Sequence, residues 1–205
     1  LENVKKFVFF SYPIQAFGVY EYGNLIKWGP TSMGKKATQT KRGLMFANWK
    51  KEVAISTVSD EWKLRWNVNV ANFEGIGWHQ YAMPGYPASH SCLRMLEEDA
   101  KWMYSWVDTW ILNKGGQTTR AKGTPVIVYG DYPWGKRRPW KKLLDSPDAN
   151  NISEDEMNKI IEPQLASIMK EQENRVNVVQ QIELEKKAKA DSLLALKTKD
   201  SSNLN

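Results

Sequence analysis

The order of apolar and polar positions divides the chain into a strand-rich body and a helical tail. Val4 to Tyr12 is dense in Val, Phe and Tyr, and Phe17 to Tyr22 is again aromatic-rich; both are strand compositions. Gly23-Asn24 supplies a turn, and Leu25 to Trp28 reads as the return strand of a hairpin. Gly29 to Gly43, with Gly, Pro, Ser, Thr and Lys, reads as loop. Leu44 to Val70 holds further strand-like runs, clearest in Val53-Ala54-Ile55 and in the alternation Trp62-Lys63-Leu64-Arg65-Trp66. Thr124 to Tyr129 predicts a buried strand, and Gly130 to Lys142 a loop.

Helical spacing enters at Leu96 to Leu112. Glu97, Glu98 and Asp99 occupy its first turn, where the helix dipole favours negative charge. Ala100, Met103, Tyr104, Val107 and Ile111 then fall on one buried face, and Gly115-Gly116 supplies a stop. Trp102, Trp106 and Trp110 form a second stripe, for which core or interface packing is the default. Beyond Asp145 the chain contains no aromatic residue, Cys or His. Residues 153–199 predict helix, opened by a Ser153/Glu156 capping box and either restarted or kinked at Pro163. Leu165, Ile168, Val179, Ile182, Leu193 and Leu196 fit heptad core positions, but Gln172, Arg175, Lys186 and Lys189 interrupt them. The expected architecture is mainly β, two packed mixed sheets with at least one helix, followed by a C-terminal α-helical extension. The expected boundaries are 1–145 and 146–205.

Composition adds limits. The chain of 205 residues, 41% hydrophobic and 25% charged, can bury a sizeable core. No apolar run reaches the about 20 residues needed to cross a bilayer. The sequence begins at Leu1 and carries no secretory signal, so any export signal is expected upstream. A net charge of +6 allows polyanionic partners without selecting one. The basic cluster Lys136-Arg137-Arg138 and Lys141-Lys142 around Trp140 reads first as a solvated face, with binding of an anionic polymer, nucleic acid being the less favoured one, as its functional alternative.

The chemistry concentrates in Gly77 to Arg94. The single cysteine, Cys92, forms no intramolecular disulfide, and both histidines, His79 and His90, precede it closely. A thiol acts as nucleophile in its thiolate form, and a neighbouring imidazole can take its proton. In an extended segment His90 and Cys92 share a face, with Arg94 next on the same alternation to favour a thiolate or a developing oxyanion. Pro84, Gly85 and Pro87 make the approach an irregular loop. The alternatives are a buried structural cysteine and a His79/His90/Cys92 zinc site; the latter lacks a nearby Asp or Glu and any Cys-x-x-Cys spacing.

Ser89-His90-Ser91-Cys92-Leu93-Arg94 resembles the signature of the L,D-transpeptidase catalytic domain family, Ser/Thr-His-Gly-Cys followed by an aliphatic residue and Arg or Asn. His79, after Gly75-Ile76-Gly77-Trp78, matches the family's upstream histidine, which is generally assigned as the base. Thr38-Gln39-Thr40-Lys41-Arg42-Gly43 is similar to the family's Thr-Pro-x-Gly element, with Lys41 where Pro is usual. The resemblance spans about residues 4–130. One departure stands at the centre of the motif: Ser91 replaces the usual Gly, which matters if that backbone adopts a positive φ.

The resemblance implies a peptidoglycan L,D-transpeptidase that forms cross-links through a Cys92 thioester. An L,D-carboxypeptidase, a wall-peptide hydrolase or a catalytically degenerate wall-binding module are the alternatives. Cys92, His79 and His90 are the expected catalytic residues; Ser91, Arg94, Ser89, Trp78, Tyr81 and Tyr86 are the expected supporting or substrate-binding ones. No metal or other cofactor is expected. The expected partners are peptidoglycan stem peptides, not nucleic acid, with self-association through the C-terminal helices as one use of the tail. The expected location is the cell envelope.

Overall fold

The computed structural model describes residues 1–56 and 59–202, with side chains through Leu193. The hairpin predicted near the start forms the edge of a five-stranded sheet. Strands β1 (Phe7–Ser11) and β2 (Ala16–Glu21) pair antiparallel, and β3 (Asn24–Pro30) returns along β2 after the Tyr22-Gly23 turn. The predicted strand near residue 124 is β11 (Pro125–Tyr129), which pairs parallel with β1 and antiparallel with β4 (Gly43–Phe46). The sheet order is β3-β2-β1-β11-β4.

A second sheet runs β5-β6-β7-β8. Here β5 (Lys50–Ile55), β6 (Lys63–Ala71) and β7 (Ile76–Gln80) form an antiparallel meander, and the short β8 (Leu93–Met95) lies parallel to β7. Val8, Phe10, Val126 and Val128 from the first sheet meet Val68, Val70, Trp78 and Leu93 from the second, and helix α1 (Glu97–Trp106) closes the layer with Ala100 and Met103. Gly77 keeps β7 tight against β6, because a β-carbon there would collide with the Val68 carbonyl.

Two predicted helices come out with different lengths. The first ends at Trp106 rather than Leu112, because its continuation finds better partners elsewhere. Trp110 donates to Asn48 O and Thr124 donates to Asp108 O, while β9 (Ile111–Leu112) pairs with β10 (Thr119–Ala121). Trp102 and Trp106 stack at 5.8 Å on the outside of α1, beneath Lys27 and Lys6, whereas Trp110 has left the helix.

The tail is one helix, α2 (Glu154–Ser202), with Pro163 inside it. Ser153 caps it by accepting from the Glu156 N–H, which is half of the predicted box. Its first turns cover the outer face of the five-stranded sheet: Ile161 and Ile168 are buried against Val4, Phe7, Phe9 and Ile127. Each fully buried side chain of that kind contributes roughly 1.5–3 kcal/mol. Further along, Asn174 and Arg175 donate to carbonyls of Arg120, Thr109 and Lys122. Contact continues through the buried Val178 and through Glu185, which pairs with Arg120, while Leu184 and Leu193 are exposed. The extension therefore forms a second core with the body it follows.

Candidate active site

The parallel β7–β8 pair sets the site. Its register places Trp78 opposite Leu93 and His79 opposite Arg94, so the loop 81–92 must start and end on adjacent strands. Residues 31–40, within the stretch Gly29 to Gly43 read as loop, hold that connection in place. Ser32 exchanges backbone hydrogen bonds with Arg94 at 3.0 and 3.1 Å, and Met33 O accepts from Ala88 and Ser89. Ser89 O accepts from the Lys35 N–H at 2.9 Å and from Thr38 Oγ1 at 3.1 Å. Thr40 Oγ1 donates to Ser91 O at 2.9 Å and itself accepts from the Gly34 N–H. Gly34 has no room for a side chain beside the Thr38 carbonyl, and its own carbonyl accepts from Tyr12 Oη.

Within this frame residues 89–92 turn tightly and are not the extended segment in which His90 and Cys92 would share a face. Ser89 Oγ donates to Cys92 O at 2.5 Å, and Ser91 sits at φ +83°. That angle lies in the region natural to glycine, and a side chain there costs on the order of 1–3 kcal/mol. The family's usual Gly at this position thus has a local reason, and Ser91 is held in place by its neighbours.

Cys92, His79, His90, Ser89, Arg94 and Tyr81 line a single narrow cavity of about 30 Å³, together with Ser56, Trp62 and Leu64. His79 is almost fully buried, 3% exposed. Its Nδ1 lies 2.9 Å from Gln80 O, and since a carbonyl only accepts, Nδ1 carries the proton and Nε2 keeps its lone pair. Burial, assisted by the charge of Arg94, lowers the His79 pKa to about 4, against the backbone hydrogen bond that raises it. Burial also pushes the Cys92 thiol up, with a Gly77 backbone hydrogen bond and Arg94 acting in the opposite direction. The resting pair is consequently a neutral thiol and a neutral imidazole.

His90 is differently placed. Its Nε2 lies 3.1 Å from Lys35 Nζ; an ammonium only donates, so Nε2 accepts and Nδ1 bears the hydrogen. That Nδ1 is buried and finds no partner among the described residues. The ring packs 5.4 Å from Trp62, which also contacts Tyr81, and Tyr81 meets His79 edge-on at 5.9 Å. Arg94 lies 4.5 Å over Tyr81.

Two expected wall residues are elsewhere. Trp78 is completely buried against Phe10, because the alternation that turns His79 toward the cavity turns Trp78 toward the main core. Tyr86 stands outside the cavity beneath Arg138, its carbonyl accepting from Ser32 Oγ. Trp62, Leu64, Ser56 and Lys35 escaped the sequence reading. The Trp62-Lys63-Leu64 alternation was the available signal, since it puts Trp62 and Leu64 on one face.

Two outcomes follow from this geometry. His79 titrates at about 4 folded against 6.5 unfolded, so its contribution is complete above pH 6.5 and is lost as pH falls toward 4. Denaturant titrations over that window should show wild type losing roughly 3 kcal/mol more than His79→Gln; equal losses would contradict the burial of a neutral ring. Ser91→Gly should relieve the turn and stabilise the protein by about 1 kcal/mol, read as a raised urea midpoint.

A sequence-family model described as the L,D-transpeptidase catalytic domain (YkuD) matches residues 5–128. An L,D-transpeptidase from Stackebrandtia nassauensis is similar in structure, with 23% identity, a TM-score of 0.53, and 64% of this chain and 58% of that chain covered. An L,D-transpeptidase from Mycobacterium tuberculosis H37Rv gives 24% identity, a TM-score of 0.50, and 62% and 58% coverage. At such identities these likenesses establish the fold. The chain spans less than two thirds of the length of either structure. No curated protein sequence matches it. The match across residues 5–128, more than half of the chain, settles its kinship: the protein belongs to the L,D-transpeptidase catalytic domain family.

Proposed function

We propose that the chain is a cell-wall acyltransferase that cross-links peptidoglycan stem peptides through a thioester on Cys92. The observation that carries this reading is the shared cavity of Cys92 and His79, with Nδ1 of His79 fixed on Gln80 O so that Nε2 is the basic nitrogen. Cys92 Sγ attacks the carbonyl at the L-centre of the third stem residue as its proton passes to His79 Nε2. The tetrahedral oxyanion collapses, the C–N bond breaks, and D-alanine leaves with the proton from His79. The side-chain amine of a second stem then attacks the thioester, gives up a proton to His79 and releases the thiol. Water in place of that amine makes the same cycle an L,D-carboxypeptidase.

His79 is preferred over His90 as the base. The lone pair of His90 Nε2 is already engaged by Lys35, and its Nδ1 is the protonated nitrogen. A buried imidazole is a weak base in the resting state, so proton transfer and carbon–sulfur bond formation proceed together. The growing oxyanion and the positive charge of Arg94 share the cavity with the imidazolium only briefly. Ser91 supports a second reading, a wall-binding module in which the strained turn no longer presents a functional oxyanion hole.

Family membership and the stem-peptide chemistry support a location in the cell envelope. Among the described residues no helix is long and apolar enough to cross a membrane.

Release of D-alanine from a synthetic tetrapeptide stem distinguishes these roles. Cys92→Ala should abolish it, and activity surviving that change would end the thioester account. His79→Gln should lower kcat/KM by about 10²–10⁴-fold, with partial recovery at high pH where the thiol ionises unaided. His90→Gln should retain more activity than His79→Gln; the reverse order would move the base to His90.

A further inference from the structure

The arginines of this chain divide by what they hold. Arg42, Arg65, Arg120 and Arg137 each reach a carboxylate, on Asp131, Glu97, Glu185 and Asp145. Arg175 donates to the carbonyls of Thr109 and Lys122. Apart from Arg175, Arg94 and Arg138 are the arginines with no carboxylate within ion-pair distance among the described residues, and both stand at the same rim. Arg94 lines the Cys92 cavity, lies over Tyr81 and is within electrostatic reach of Tyr86. Arg138 lies 4.4 Å over the Tyr86 ring.

The two are joined by short, specific links. Ser32, itself fully buried, exchanges backbone hydrogen bonds with Arg94 and donates its hydroxyl to Tyr86 O at 2.7 Å. Trp140 Nε1 donates to Gly85 O at 2.9 Å, which fastens the Pro139–Leu144 turn, and with it Arg138, onto the loop that leads into Cys92. The neighbouring acids are already taken: Asp131 pairs with Arg42, and Asp145 with Arg137. Two guanidinium groups with no carboxylate partner among the described residues, Arg94 making only a long 3.5 Å hydrogen bond to Ala82 O, stand beside two phenol rings. That arrangement suits a planar anion, since a guanidinium offers paired donors and stacks on aromatic faces.

We propose that Arg138, with Tyr86 and Arg94, forms a carboxylate-binding subsite that holds an anionic group of the stem peptide beside the Cys92 cavity. The inference rests on the stem-peptide reading above. It goes further by giving the segment after residue 128, outside the family match, a part in substrate selection. A stem peptide offers carboxylates at its C-terminus and on its side chains, and the chemistry of recognition is the same for both. Arg138 acts here as a substrate-positioning residue and takes no part in bond making.

The test uses the full chain carrying Cys92→Ala, so that ligand is bound without turnover. Calorimetric titration would compare a tetrapeptide stem as free acid, as C-terminal amide and with its side-chain carboxylates amidated. The free acid should bind about tenfold or more tightly than one of the amides, and the amide that loses affinity names the carboxylate. Arg138→Gln should erase that difference, while Arg138→Lys should keep part of it. In the chain with Cys92 intact, Arg138→Gln should raise KM for the free acid and leave kcat nearly unchanged. Equal binding of free acid and amides by the Arg138 protein, or an undiminished preference in Arg138→Gln, overturns the subsite alone. Binding of none of the peptides overturns the subsite together with the stem-peptide function.

Discussion

Everything at the cavity depends on the clamp around residues 89–92. Ser91 is held at an angle its side chain disfavours, and the restraint comes from a segment fifty residues earlier in the chain. Thr40 fixes the Ser91 carbonyl, Thr38 and Lys35 fix that of Ser89, and Ser89 folds back on Cys92. Each of these bonds ties a polar group that would otherwise be stranded in a largely buried place, where an unmet partner costs about 1–3 kcal/mol. The strained turn and its polar frame are thus one unit: neither is stable without the other.

The electrostatics of the site follow from the same packing. Burial holds His79 neutral and disfavours a thiolate at Cys92, so the cavity does not store an ion pair in the resting state. On the proposed mechanism Cys92 and His79 become charged only as the reaction proceeds, beside the standing positive charge of Arg94. The rim offers a contrasting environment, with Arg138 over an accessible tyrosine and no carboxylate paired with it among the described residues. His79 and Cys92 thus rest neutral beside Arg94, and the proposed rim subsite would complement a substrate whose reacting carbonyl is neutral and whose periphery is acidic.

Much of this was legible in the sequence because the relevant signals are local. The Ser-His-x-Cys-x-Arg run names one wall of the cavity, and alternation along a strand names the inward face on which His79 lies. The same alternation, taken strictly, would have excluded Trp78 from that face, since neighbours on a strand point to opposite sides. Trp62, Leu64 and Lys35 were less accessible, because their nearness to His90 depends on sheet pairings between distant parts of the chain. The helix after Cys92 was extended too far for a similar reason: its apolar spacing continues, but Asn48 and Thr124 bind its next backbone groups. In the tail, broken heptads pointed away from a coiled coil, and the actual use of Ile161 and Ile168 is to cover an aromatic sheet face that periodicity alone does not assign.

The central claim is that the clamped turn presents Cys92 as a working nucleophile despite Ser91. Carbapenems typically acylate members of this family, so intact-protein mass spectrometry after incubation with one tests it most directly. A single covalent adduct on Cys92, absent from the Cys92→Ala protein, is expected. No adduct, together with slow alkylation of the thiol at neutral pH, would contradict it and leave the chain as a wall-binding module.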